Sequence, residues 1–179
     1  LEKELETPFY TRGYNPTVAI LRKKIAALEK TEDALVFASG SAAIAAAVMS
    51  VVKSGDHVVC VQKPYSWTNT LISSYLAKYG VESTFVDGRD EQEIFNAVKQ
   101  NTKLIYLESP NSLTFELQNI SAVTKYAKSK NITTIIDNSY CSPLNQSPAT
   151  MGVAIVVHSA TKYLNGHSDV VAGVVASSK

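Results

Sequence analysis

The chain has 179 residues, 45% of them hydrophobic and 18% charged, with a formal net charge of +1. That length supports one sizeable core, and so balanced a charge gives no argument for nucleic acid or an anionic membrane as partner. No apolar run is long enough to span a bilayer and no segment reads as a signal peptide. Cys60 and Cys141 are isolated and make no disulfide framework; thiols of this kind fit a reducing compartment, and a cytoplasmic location is expected.

In chain order, Asn15-Pro16 predicts a helix start, since Asn caps and Pro suits the first helical position. Val18, Leu21, Ile25 and Leu28 then share one helical face. Strand-like runs follow at ALVFAS, HVVCVQ, STFVD, KLIYLES, TTIID, AIVVHS and VVAGVVAS. Helical stretches lie between them at SAAIAAAVMSVV, SWTNTLISSYLAKY, DEQEIFNAVKQ and ISAVTKYAKSK. Several strands are continuously apolar, which predicts an α/β domain: a mostly parallel sheet with helices on both faces. Repeats and low-complexity tracts are absent. The chain opens at Leu1 and closes in an apparent strand, as a piece of a longer protein would.

Four places could carry chemistry. At FASGSAAIAAA a strand turns through Ser39, Gly40 and Ser41 into a helix, whose free N–H groups would favour a phosphate; taken alone, a tight strand-to-helix turn is the better reading. At TTIIDNSY, Asp137 ends an apolar strand and is either a turn acid or a carboxylate aimed at a ligand cation. Tyr65 follows the strand HVVCVQ, as a lid over the core or as a ring stacked on a flat ligand. Lys162, in HSATKYLNGHSD, follows a core strand among hydroxyls, at the edge where open α/β sheets bind ligands. Its ammonium either reaches water past the strand end or sits desolvated, where it can shed its proton.

Arg12, before the first helix, reads alone as a surface residue, although a guanidinium suits phosphate. His57, His158 and His167 lack metal-ligand spacing, His158 is expected to satisfy a local hydrogen bond, and no metal site is expected. Taken together, a phosphate-suited helix start, a flat aromatic, a strand-end acid and a boxed lysine are the set that pyridoxal phosphate requires.

The segments YTRGYNPT, LVFASGSAAIAA, SGDHVV, KLIYLESP, IIDNSY and VHSATKYLNGHSD resemble, in order, the Cys/Met-metabolism family of pyridoxal 5'-phosphate enzymes. That family comprises cystathionine synthases and lyases and methionine γ-lyase. The resemblance runs from about Tyr10 to Gly173. It implies the large domain of a fold-type I transferase over residues 16–179, incomplete and without its C-terminal domain, preceded by an arm at residues 1–15 that contacts a partner subunit.

The resemblance implies that Lys162 binds the cofactor covalently and moves protons, that Asp137 pairs with the pyridine nitrogen, and that Tyr65 stacks on the ring and can serve as an acid or base. It further implies that Gly40 and Ser41 give backbone N–H groups to the phosphate, that Ser159 and Thr161 give hydroxyls, and that Tyr10 and Arg12 reach a neighbouring subunit's phosphate. A homo-oligomer follows, a dimer of active sites and by family habit a tetramer, acting on a sulfur-containing amino acid.

The departures bear on substrate. Ser41 stands where many members have methionine, a change that a backbone contact tolerates. ESPNSL replaces ESPTNP, so Ser112 occupies the place of the usual ring-contacting asparagine, and the segment is closer to some cystathionine β-lyases. Trp67 stands where methionine γ-lyases carry a cysteine, which disfavours that activity. The arginine that grips the substrate carboxylate belongs to the absent part. The expected reaction is β-elimination from cystathionine, with γ-elimination or γ-replacement as the alternative. The rivals are a cofactor-binding scaffold without catalysis and a Rossmann-type dinucleotide binder; SGSAAI lacks the latter's G-x-G-x-x-G spacing.

Overall fold

The computed structural model describes residues 7, 8, 10, 11 and 13–178. Seven strands form one sheet: β1 (Asp33–Phe37), β2 (His57–Val61), β3 (Glu82–Val86), β4 (Thr102–Glu108), β5 (Thr133–Asp137), β6 (Ile155–Ser159) and β7 (Gly173–Ser177). Their order across the sheet is β1-β7-β6-β5-β4-β2-β3. The pairs from β6 to β3 are parallel, whereas β7 runs antiparallel to both β6 and β1.

The helices are α1 (Pro16–Glu29), α2 (Gly40–Val51), α3 (Ser66–Thr70), α4 (Glu91–Ala97), α5 (Ile120–Ser129) and a short α6 (Ser142–Asn145). A π-helical turn and a 3₁₀ turn carry α3 on to Tyr79. Every strand and long helix that periodicity predicts is present; α6 and a 3₁₀ turn at Pro148–Met151 are additions.

The strands are apolar throughout because both faces are covered. Val58, Leu104, Ile135 and Val157 pack towards α2 and the turn after α3. Their neighbours Val59, Ile105, Ile136 and Val156 pack towards α4 and α5. Alternation along each strand therefore sorts side chains into two cores. The same parity governs the strand ends. Glu108, Asp137 and Ser159 continue the α2-facing series, while His158 points with Val156 to the other side.

α1 covers β1 and β7 on that other side. Asn15 caps it, its side chain accepting from the N–H of Thr17 and Val18. Its buried face is Ile25, Ala26 and Glu29, and Val18, Leu21 and Leu28 are exposed. The expected apolar face is thus rotated. The reason is Glu29, which is fully buried and bonded through Oε1 to His158 Nε2 and to the amide of Asn138.

No described helix is long and apolar enough to cross a membrane.

Candidate active site

The carboxyl edge of the parallel strands opens into a cavity of about 860 Å³, lined among others by Gly40, Ser41, Tyr65, Asp137, Ser159 and Lys162. Thr161 lines it too. Of the nine residues expected at the site, seven therefore meet at one place. Tyr10 is exposed and does not line the cavity, and Arg12 lies outside the described residues.

The floor is the start of α2 pressed against the end of β6. A Cβ built on Gly40 would lie 2.6 Å from Ser159 Cβ, so only glycine allows this approach. Ser39 caps the helix by accepting from the Ala42 N–H at 3.1 Å. The first amides, those of Gly40 and Ser41, have no partner within the helix, and both residues line the cavity, where such amides suit an anion. Gly173 completes the packing, since a Cβ there would fall 2.0 Å from the Ser39 carbonyl oxygen.

Asp137 is buried at the end of β5. Both of its hydrogen bonds fall on Oδ1, from the Ser139 hydroxyl at 2.6 Å and the Ser139 N–H at 2.9 Å. The Ser139 oxygen in turn accepts from the Ser159 N–H at 2.7 Å, so one chain of bonds joins β6 to the acid. Burial pushes the Asp137 carboxyl upward, against the two Ser139 bonds and the His158 charge, which pull it down. A carboxylate so placed gains from a cation in the cavity.

Glu108 was not expected here, and it also lines the cavity. It stands opposite Asp137 in the parallel register of β4 and β5. Its Oε2 accepts from the Tyr65 N–H at 2.8 Å and its Oε1 from the Ser112 N–H at 2.6 Å. Burial, and then the charge of Asp137, raise its pKa from 4.5 to about 6. The signal was present in the sequence: KLIYLES ends an apolar strand in an acid, as TTIID does.

Of the two readings of Lys162, the structure shows the exposed one, with the side chain in the turn after β6 and open to the cavity. Two other details differ from the expectations. The Thr161 hydroxyl is bonded to both the N–H and the carbonyl of Ala172 at 3.1 Å, which holds the Lys162 turn to the start of β7. His158 bonds not locally but to Glu29, across the sheet from the cavity. Ser112, in the place of the usual asparagine, lines the cavity, whereas its neighbour Asn111 is fully buried and committed to Gln62 and Gln118 at 3.0 and 2.6 Å.

Pyridoxal phosphate fits this donor set. Unpartnered helix amides suit its phosphate, an acid with a free oxygen suits its pyridinium, an exposed aromatic suits its face and an accessible amine suits its aldehyde.

A mostly parallel sheet in this order, with a cavity at its carboxyl edge, is the α/β fold of the fold-type I class. The family model for Cys/Met metabolism PLP-dependent enzymes matches residues 1–179, and the chain belongs to that family. It is 45% identical to L-methionine gamma-lyase of Fusobacterium nucleatum over 169 residues, 94% of this chain and 43% of the relative. It is 41% identical to cystathionine beta-lyase MetC of Bacillus subtilis, over 93% of this chain and 43% of that protein. The solved structure of metB from Corynebacterium glutamicum superposes with a TM-score of 0.95 at 38% identity, covering all of this chain and 47% of that one. The chain spans about half the length, or less, of the curated relatives it matches.

Proposed function

We propose that the whole protein is a pyridoxal-phosphate-dependent carbon–sulfur lyase acting on a sulfur amino acid, with residues 16–179 as its cofactor-binding domain. The observation that carries this reading is the convergence of Asp137, Tyr65, Lys162 and the helix start at Gly40 and Ser41 on one cavity.

In this reading the cofactor, when bound, supplies a protonated ring that accepts electrons from bonds broken at the substrate's α-carbon. The chain's residues do the rest. Asp137 keeps the proton on the ring nitrogen, since a negative neighbour favours the cationic form. The Gly40 and Ser41 N–H groups and the Ser159 hydroxyl hold the phosphate. Thr161 contributes by fixing the turn that presents Lys162. Tyr65 covers the ring face and excludes water from it. The Lys162 Nζ would hold the cofactor covalently and, when free, would carry the substrate's α-proton. Occupation of the cavity supplies the desolvation that the amine lacks in the open site.

β-Elimination from cystathionine is the favoured reaction, because Ser112, not an asparagine, faces the cavity. The 45% identity to a methionine gamma-lyase keeps γ-elimination as the second reading, despite Trp67. Product analysis on the full chain separates them. Homocysteine and pyruvate from cystathionine support the β reading; cysteine and 2-oxobutyrate support the γ reading; no thiol release rejects both.

The arm at residues 1–15 is proposed to carry Tyr10 and Arg12 to a second subunit's phosphate, which makes a dimer the functional minimum and a tetramer the expected assembly. Two free thiols, one of them buried, are consistent with a cytoplasmic protein.

A further inference from the structure

Tyr65 and Ser112 stand on different loops, 47 positions apart in sequence, and one side chain binds the backbone of both. We propose that Glu108 is a positioning residue of the site. Its carboxylate ties the Tyr65 loop and the Ser112 loop to the carboxyl edge of the sheet, and so fixes where the Tyr65 ring stands. The part of this inference that concerns the reaction rests on the role proposed above for Tyr65.

The geometry gives Glu108 little else to do. It ends β4, between β2 and β5, and is only 3% exposed. Each oxygen takes one backbone N–H, Oε2 that of Tyr65 and Oε1 that of Ser112. Tyr65 directly precedes α3, a helix with no side-chain cap of its own, so the Glu108 bond anchors the chain where that helix begins. Bonds from a backbone N–H to an ionised carboxylate are roughly twice as strong as neutral ones. Asn111 adds a second stitch between the same two loops through the Gln62 carbonyl. The acid is retained at a cost: burial beside Asp137 disfavours its charge. An amide would fill the same volume without that penalty. It would offer only one acceptor, however, and would point an N–H₂ group at the other backbone N–H. The carboxylate is the one side chain of this size that can accept from both loops.

The experiment uses the full chain with Glu108→Gln, and with Glu108→Asp should the first fold poorly. In the cofactor-free protein, amide hydrogen exchange at Tyr65 or Ser112 should quicken by about tenfold, while the amides of Leu104 to Leu107 keep their protection. Unchanged exchange at both positions overturns the proposal. Titration with pyridoxal phosphate then reads the consequence. Glu108→Gln should weaken binding by about tenfold in the native background and have little effect in a Tyr65→Ala background. An equal loss in both backgrounds means that Glu108 acts only as a structural brace, and overturns the proposal. If Tyr65→Ala binds the cofactor as tightly as the native chain, the role proposed for Tyr65 fails instead, and the exchange rates alone decide the role of Glu108.

Discussion

Glu29 and His158 are bonded to each other on the side of the sheet opposite the cavity, although 129 residues separate them in sequence. Both side chains are essentially inaccessible to solvent, and Asn138 donates to the same glutamate oxygen at 3.1 Å. The pair joins α1 to the strands that carry Asp137 and Ser159, one residue away on each side. Removing one member leaves a buried polar group without its partner, which costs about 3–5 kcal/mol. Glu29→Ala and His158→Ala should each lower the unfolding free energy, measured by denaturant titration, by that order. The double variant should lose less than their sum. Additive losses would show that the two do not act as a pair.

Gly173 lies against the Ser39 carbonyl, where a Cβ would come within 2.0 Å of the oxygen. Gly173→Ala must push β7 away from the cap of α2, at about 1–3 kcal/mol of stability. Because the displaced cap carries the amides proposed to hold the phosphate, pyridoxal phosphate binding should weaken as well. A fully stable variant with native cofactor affinity would contradict the packing described.

The acid pair at the strand ends makes stability depend on pH. Glu108 loses its proton near 4.5 when unfolded and near 6 when folded. Between those values the folded state holds more protons, so the stabilising contribution is full below about 4.5 and is lost as pH rises through about 6. The span corresponds to about 2 kcal/mol at most. In the cofactor-free protein, Glu108→Gln should flatten the fall in melting temperature over this window. Part of the slope should persist, because burial pushes Asp137 in the same direction. A native-like slope in the variant would contradict the assignment.

Asp137→Asn should still bind cofactor, through the helix amides and Lys162, but removal of the substrate's α-proton should slow by several orders of magnitude. A neutral amide cannot hold a proton on the ring nitrogen, and each factor of ten corresponds to about 1.4 kcal/mol. Deuterium exchange at the α-carbon measures this step directly. Near-native exchange would remove Asp137 from that role.

The sheet was legible because covered parallel strands are continuously apolar, and TTIID and KLIYLES announce themselves whatever surrounds them. Asp137 and Lys162 were legible for the same reason, as polar residues at the ends of such strands. Glu108 obeys the same rule but had no neighbouring motif to attract notice. The buried face of α1 was not legible. Periodicity counts Val18, Leu21 and Leu28 as core and Glu29 as surface, and the reversal depends on His158, whose position only the fold supplies. The Thr161 hydroxyl was legible as a residue type but not as a bond, because Ala172 reaches it only through the turn around Lys162.

The central claim is that Lys162 anchors the cofactor in this cavity. The most direct measurement is borohydride reduction of the full chain loaded with pyridoxal phosphate, followed by mass mapping of the modified peptide. The account predicts a visible absorbance band that reduction removes, one pyridoxyl group on the peptide containing Lys162, and neither band nor label in Lys162→Ala. A band that survives Lys162→Ala, or a label on any other lysine, would contradict it.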